Sequence, residues 1–310
     1  MNFKKPYFWD LPKPNIISYL LIPFSIPIVL RNFLFKFFKK EKSTRIKTVC
    51  VGNIYLGGTG KTPLTIRIYE ILKTLNYKVA TAKKNYSNQN DEQLLLSQKT
   101  SLIAEKSRKN VITQGLKQNL DFLVFDDGLQ ELGIEFDIKL ACFKSKNWIG
   151  NGQLIPAGPM REKISSLKRF DAVFLNGHTD NFEKIENQIQ SINSKIKIFK
   201  TFYKISNIEK YNLNLRYLIF SGIGSPSDFK EILLENKFNI AKEIIFADHY
   251  EYSQNDFENI ISSAKNENLN ILTTEKDYMK IPKKFREEIK FLSIDLIIHN
   301  EIELINLLKI

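Results

Sequence analysis

Thr48-Val49-Cys50-Val51-Gly52-Asn53-Ile54-Tyr55-Leu56-Gly57-Gly58-Thr59-Gly60-Lys61-Thr62-Pro63 is the stretch whose reading decides the fold. Thr48–Val51 is a short apolar run of strand type. A glycine-rich turn follows, and over Pro63–Leu75 the residues Leu64, Ile68, Ile71, Leu72 and Leu75 recur at helical spacing. Strand, glycine turn and helix in that order form the context a nucleotide phosphate loop needs. Glycines let backbone N–H groups approach phosphates, and the helix N-terminus adds favourable partial charge. This predicts nucleotide binding by Gly57, Gly58, Thr59, Gly60, Lys61 and Thr62. Lys61 would neutralise the β- and γ-phosphates, and the Thr62 hydroxyl would reach Mg²⁺. Pro63 lies in the first helical turn, where its missing N–H costs little. The usual pattern has glycine where this chain has Tyr55, so Gly57 and Gly58 are expected to supply the flexibility.

Outward from this loop the α/β pattern continues. Lys78–Ala82, Asn119–Phe125, Ile138–Phe143 and Ala172–Leu175 read as strands, while Leu94–Leu96 has ambiguous periodicity. Near residue 206 a second block begins. Strand runs at Leu218–Ser221, Ile244–Phe246 and Asn270–Thr273 alternate there with helical runs at Asp228–Leu234 and Asn255–Asn266. Lys195–Ile205 alternates apolar and basic residues and reads as an extended connection. Strands alternating with helices imply a mostly parallel sheet covered on both faces. The expected fold is α/β: a P-loop nucleotide-binding α/β/α sandwich with a second, smaller α/β domain and an N-terminal membrane-associating helix. The expected boundaries are 1–45 for the apolar and basic segment, 46–205 for the P-loop domain and 206–310 for the smaller domain.

Charge placement narrows the function classes. The chain of 310 residues carries a formal +12, and residues 1–50 hold ten basic groups against two acids. The remaining 260 residues therefore carry only +4. A nucleic-acid binder should carry its basic patch on the folded domain, so that class is excluded. Two cysteines rule out a disulfide scaffold, and three histidines leave little for metal clusters. Pro14–Leu30 is an uncharged run of 17 residues, broken by Pro23 and Pro27 and flanked by Lys36, Lys39 and Lys40. A spanning helix needs about 20 apolar residues, and no small-residue cleavage site follows the run. An interfacial segment fits best, with apolar side chains in one leaflet and the basic cluster against anionic headgroups. The alternative is a helix packed on the domain with a solvated basic face.

Asp126-Asp127-Gly128 ends an apolar strand, at the sheet edge where open parallel sheets bind ligands. One carboxylate there can hold Mg²⁺ and a second can position a nucleophile, and Asp-Gly also favours a turn. The loop from Gly150 to Glu162 is glycine-rich; Arg161 could clamp a phosphate and Glu162 could bind metal. Asp91-Glu92 taken alone would be a solvated turn, and a lone histidine such as His249 is more often structural than catalytic.

Together these segments resemble one family, the tetraacyldisaccharide 4′-kinases of lipid A synthesis. The matches are Val51-Gly52-Asn53, the Gly57–Pro63 loop, Asp91-Glu92, Asp126-Asp127-Gly128-Leu129-Gln130 and the Gly150–Glu162 loop. In the second block they are Ser221-Gly222-Ile223-Gly224-Ser225-Pro226, Asp248-His249 and Thr273-Thr274-Glu275-Lys276-Asp277. The resemblance implies transfer of the γ-phosphoryl group of ATP to the 4′-hydroxyl of tetraacyldisaccharide 1-phosphate, with Mg²⁺, at an active site between two α/β domains. It implies a catalytic pair, Asp91 and His249, which come from different blocks, so that domain closure would assemble it. It implies metal or nucleotide-site roles for Thr62, Asp126, Asp127 and Glu162, and substrate binding by Asn53, Lys84, Tyr86 and Arg161. It further implies a peripheral or monotopic place on the cytoplasmic face of a bacterial inner membrane. The chain departs from the family pattern at Lys84-Asn85-Tyr86, where Arg-Gly-Tyr is usual, in a short Tyr86–Asp91 spacing, and at Glu131, where His is common. Lys84 keeps the charge but loses the bidentate fork.

Two other classes remain. A membrane-peripheral P-loop ATPase of unrelated role explains the phosphate loop, the aspartate pair and the apolar-basic start. It gives no reason for the Gly150–Glu162 loop or for His249, and lipid-independent ATP hydrolysis would favour it. A non-enzymatic membrane adaptor on a nucleotide fold would show no ATP binding.

Overall fold

The computed structural model describes residues 5–34, 37–38, 41–43, 45–84, 90–130 and 133–309. They form two compact units, each mixed α/β. The larger comprises Lys5–Asn85, Thr100–Phe202 and Leu296–Ile310, and the smaller Tyr86–Lys99 and Tyr203–Asp295. This division differs from a simple cut at residue 205. The C-terminal tail returns to the larger unit, where helix Glu301–Lys309 is tied down by Arg67, whose guanidinium meets Glu301 at 2.8 Å. Helix Asn90–Lys99 joins the smaller unit, packing on the short helix Glu275–Tyr278 through Lys99 and Glu275 at 2.6 Å. The ambiguous Leu94–Leu96 segment lies inside that helix.

The larger unit is built on an eight-stranded sheet. Its strands in chain order are β1 Lys47–Gly52, β2 Val79–Lys84, β3 Leu102–Glu105, β4 Phe122–Asp126, β5 Ile138–Lys144, β6 Ala172–Asn176, β7 Lys197–Ile205 and β8 Ile294–Ile298. The spatial order is β8-β7-β6-β5-β1-β4-β2-β3, and the ladder from β7 to β3 is parallel. Thus the extended connection read at Lys195–Ile205 is a sheet strand. Strand β1 sits in the middle, flanked by β4 and β5. Val49, Cys50, Val51, Leu123, Val124, Phe125, Leu140 and Ala141 are all buried, as two-sided parallel strands require. Burial also pushes the Cys50 and Cys142 thiols up, so both stay protonated and unreactive. Because the strands from β7 to β3 run the same way, their carboxyl ends share one edge, and the phosphate loop and Asp126 meet there.

The smaller unit holds a four-stranded parallel sheet in the spatial order Asn239–Ile245, Arg216–Ser221, Asn270–Thr274, Ile289–Leu292. Its core packs Leu218, Phe220, Phe257, Ile260 and Ile271 on one face and Ile219, Phe229, Leu233 and Leu272 on the other. Asp277 is fully buried and organises the strand ends. Its carboxylate accepts from the Gly222 N–H at 3.0 Å, the Thr274 hydroxyl at 2.7 Å and the Tyr252 hydroxyl at 3.0 Å.

The N-terminal segment inverts the usual amphipathic pattern. Ile16–Leu34 is a helical stretch of 19 residues with mean hydropathy 1.6, long and apolar enough by composition to cross a bilayer. The 3₁₀ turn Ile22–Ser25 interrupts it at Pro23, where the ring removes a helical donor. Ile16, Leu20, Phe24, Ile26 and Phe33 face outward, at 53–78% exposure, whereas Ser18 and Ser25 are buried at 0% and 5%. The buried serines serve the larger unit. Asn151 Nδ2 donates to Ser18 Oγ at 2.9 Å and to the carbonyls of Phe8 and Ala157, and Ser25 Oγ donates to the Leu154 carbonyl at 3.1 Å. The segment is thus docked on the larger unit through its polar side chains, with its large apolar side chains mostly outward. Lys36, Lys39 and Lys40 lie outside the described residues. Asn151→Ala strands several buried polar groups at once and is expected to lower stability by about 2–4 kcal/mol, read as a fall in the thermal midpoint.

Candidate active site

The helix Lys61–Thr74 begins without a side-chain cap. Its N-cap residue is Gly60 in the left-handed region (φ 88°), so the first-turn N–H groups are left for a ligand. Gly57 (φ 133°) is the second residue of the loop that needs glycine's freedom. Gly60, rather than Gly58, therefore shares the work expected of Gly57. The Tyr55 ring is buried beside an isolated bridge to Met160, and its hydroxyl donates to Asp10 at 2.7 Å. Burial, then the Asp10 carboxylate, pushes the Tyr55 hydroxyl up. This tyrosine replaces a glycine by anchoring the loop's entry instead of freeing it.

The Gly150–Glu162 loop is tied to the phosphate loop by backbone bonds. Leu56 N–H donates to the Pro159 carbonyl and Arg161 N–H to the Ile54 carbonyl, both at 2.8 Å. Arg161 thereby projects beside the end of β4, and its guanidinium lies 3.8 Å from Asp127 Oδ2. Lys61 Nζ lies 3.9 Å from the same oxygen. Asp127 is held in the left-handed region (φ 60°), its carbonyl bonded by Arg108, a residue the sequence reading passed over. Gly128 follows because a Cβ there would meet Cys50 Sγ at 3.0 Å and Arg108 Nε at 3.3 Å. The Asp-Asp-Gly stretch is thus both a turn and a charged edge.

Asp126 is buried beneath that edge. Its Oδ2 accepts from Thr62 at 3.2 Å and from Lys83 Nζ at 2.7 Å, and its Oδ1 from Thr65 at 3.4 Å. Lys83 was not singled out from sequence, because nothing local in Thr81-Ala82-Lys83-Lys84 distinguishes a buried lysine from an exposed one. Asn53 is fully buried; its amide donates to Thr59 Oγ1 at 3.0 Å and to the Gly57 carbonyl at 3.3 Å, bracing the loop. Its Oδ1 has no partner among the described residues. Glu162 is nearly buried, with both oxygens 2.7 Å from Arg169 and one 3.3 Å from Gln130, so a metal would have to open that ion pair. No cluster of three or more His, Cys, Asp or Glu suited to a metal occurs among the described residues. The oxygen set of Thr62, Asp126 and Asp127 fits Mg²⁺ when a nucleotide's phosphates complete the shell. Lys84 ends β2, at the same sheet edge, while Tyr86 and Glu131 lie outside the described residues.

In the smaller unit, His249 follows the Asn239–Ile245 strand in a left-handed conformation (φ 58°), its N–H bonded to the Gly222 carbonyl at 3.2 Å. Its Nε2 lies 3.9 Å from Asp248 Oδ1. Lys276 Nζ lies 3.9 Å from Asp248 and 3.7 Å from Glu92 on the first turn of helix Asn90–Lys99. The backbone of Asp91 is in that turn, and its side chain lies outside the described residues. The helix bearing Asp91 therefore shares one unit with His249, although they are far apart in sequence. No closure of two units is needed to bring those elements together.

Residues 17–309 match the family model described as Tetraacyldisaccharide-1-P 4′-kinase (LpxK). The chain is 44% identical over 306 residues to the tetraacyldisaccharide 4′-kinase of Pelagibacter ubique (strain HTCC1062), covering 99% of this chain and 97% of that protein. It is 34% identical over 293 residues to that of Rickettsia bellii (strain OSU 85-389), covering 89% of each. Its fold is similar to that of LpxK from Aquifex aeolicus, crystallised in complex with ATP, with a TM-score of 0.72 over 95% of this chain and 99% of that one, at 23% identity. The phosphate loop, the Asp-Asp-Gly edge and the Asp248-His249 turn thus sit in a chain that belongs to the tetraacyldisaccharide-1-phosphate 4′-kinase family.

Proposed function

We propose that the chain transfers the γ-phosphoryl group of ATP to the 4′-hydroxyl of tetraacyldisaccharide 1-phosphate in lipid A biosynthesis. The observation that carries this reading is the convergence of Lys61 and Arg161 on Asp127, in front of an uncapped helix N-terminus, in a member of the family named for that reaction. Gly57–Thr62 would cradle the phosphates, with Lys61 as their point charge. Thr62, Asp126 and Asp127 would hold Mg²⁺, with Glu162 able to join only on release from Arg169. The metal, when bound, neutralises charge on the β- and γ-phosphates. The 4′-oxygen attacks the γ-phosphorus, the bond to the β,γ-bridging oxygen breaks, and the hydroxyl proton passes to Asp91, oriented by His249. Support for that pair is the Glu92–Lys276–Asp248 chain of charges linking the Asp91 turn to the His249 turn. Arg161 and Lys84, with Tyr86, would meet the substrate, while Asn53, expected to do so, is fully buried and braces the phosphate loop.

The outward apolar face of Ile16–Leu34 supports peripheral binding to the inner membrane, where a lipid substrate is found. Replacing Leu20, Phe24 and Phe33 together by Glu alters exposed positions, so folding should survive. Co-sedimentation with anionic vesicles is expected to fall at least tenfold; unchanged partition would remove the membrane role.

The test of function is label transfer from γ-labelled ATP to tetraacyldisaccharide 1-phosphate in detergent micelles, beside a lipid-free control. Label in a more polar lipid is the expected result. Label released as phosphate equally without lipid would instead favour the membrane-peripheral ATPase.

A further inference from the structure

Lys83 and Asp126 form an ion pair buried on both sides, with side-chain exposures of 2% and 0% and a separation of 2.7 Å. Strand register explains their meeting. Ala82 on β2 lies opposite Phe125 on β4, so the next residues, Lys83 and Asp126, lie side by side on adjacent strands. Thr62 and Thr65 from helix Lys61–Thr74 close over the pair, and Thr62 donates to the same oxygen that Lys83 holds. Desolvating two charges is expensive, and an apolar pair would fill this space at no greater cost. Its placement under the phosphate loop indicates what the buried cation is for. Among the described residues, two carboxylates, Asp126 and Asp127, face three cations, Lys83, Lys61 and Arg161. Glu162 adds no free charge because Arg169 engages both its oxygens.

We infer that Lys83 is the internal counter-cation of the phosphate site, compensating Asp126 so that a divalent metal enters only together with nucleotide phosphates. The inference rests on the kinase reading in one respect, that Thr62 and Asp126 form the metal side of the site. Lys83 is a positioning residue, since it acts through Asp126 and Thr62. A site with its carboxylates compensated repels a bare divalent cation and attracts a polyphosphate, which brings the metal with it. Removing the ammonium frees the charge of Asp126, and nucleotide-free metal affinity rises.

The experiment is a Mn²⁺ titration of the full chain followed by electron paramagnetic resonance, with and without ATP. The parent protein is expected to leave Mn²⁺ free in the absence of ATP and to bind it with ATP present. Lys83→Met is expected to bind Mn²⁺ without nucleotide at least tenfold more tightly than the parent, and Lys83→Arg to restore parental behaviour. A merely structural lysine would lower the melting temperature of Lys83→Met and leave its Mn²⁺ affinity at the parental value, and that result overturns the inference. Nucleotide-free Mn²⁺ binding by the parent also overturns it, so the outcome does not depend on Lys83→Met folding. Mn²⁺ behaving as expected while the micelle assay shows no lipid phosphorylation would overturn the kinase reading and leave the role of Lys83 standing.

Discussion

Lys61→Ala is expected to reduce phosphoryl transfer by about 10³-fold or more while leaving the fold intact. Lys61 opens the helix after the glycine loop, its side chain 16% exposed and its ammonium 3.9 Å from Asp127. Alanine is the best helix former, so the helix keeps its backbone. What disappears is a point charge at the place where negative charge moves from the γ-phosphoryl group to the leaving ADP. Glycine-loop N–H groups remain but carry only partial charges. The check is the micelle assay with γ-labelled ATP, beside a thermal melt. Transfer within tenfold of the parent, at an unchanged melting temperature, would mean that Lys61 is not the phosphate-site cation.

Replacing His249 is expected to slow turnover by about 10²–10⁴-fold with ATP affinity retained. The sugar hydroxyl is a weak nucleophile and needs a base, whereas the glycine loop proposed to hold ATP belongs to the other compact unit. The choice of substitution matters here. His249 has φ 58°, a region in which alanine is strained and asparagine is comfortable. His249→Asn therefore removes, with little backbone cost, the imidazole that would orient the Asp91 base, and His249→Ala adds a modest loss of stability. Similar kinetic defects in both variants would separate chemistry from strain. Turnover at the parental rate in His249→Asn would exclude the Asp91–His249 pair.

Much of the larger unit could be read directly from the chain. β1, the glycine loop and the helix after it follow from a local order of strand, turn and helix, and local signals do not depend on where the rest of the chain goes. Asp126-Asp127 was legible for the same reason, as acids closing an apolar run. The strand Leu102–Glu105 and the helix Arg108–Lys117 escaped, because short, mixed segments carry weak periodicity. Helix Phe182–Ile192, with Phe182, Ile185, Ile189 and Ile192 at helical spacing, was legible and went unread. The grouping of helix Asn90–Lys99 with the smaller unit also escaped, since it depends on ion pairs with Glu275 and Lys276 more than 170 residues away.

The N-terminal segment shows both sides of this boundary. Its composition announces an apolar surface seeker with a basic flank. Which side chains face outward is decided by three polar residues, Ser18, Ser25 and Asn32, which bond to Asn151 and to the carbonyls of Leu154 and Arg161. The apolar side chains are thereby left on the outside.

By itself, then, the sequence determined the α/β class, the phosphate loop and the family, because these rest on near-neighbour residue order and on composition. Tertiary structure alone decided that Lys83 neutralises Asp126, that Glu162 is engaged by Arg169, and that the turn bearing Asp91 belongs with His249. Those are pairings of charges across separate elements, set by strand register and by the low dielectric of the interior, where a partner at under 3 Å decides whether a charge is available for chemistry.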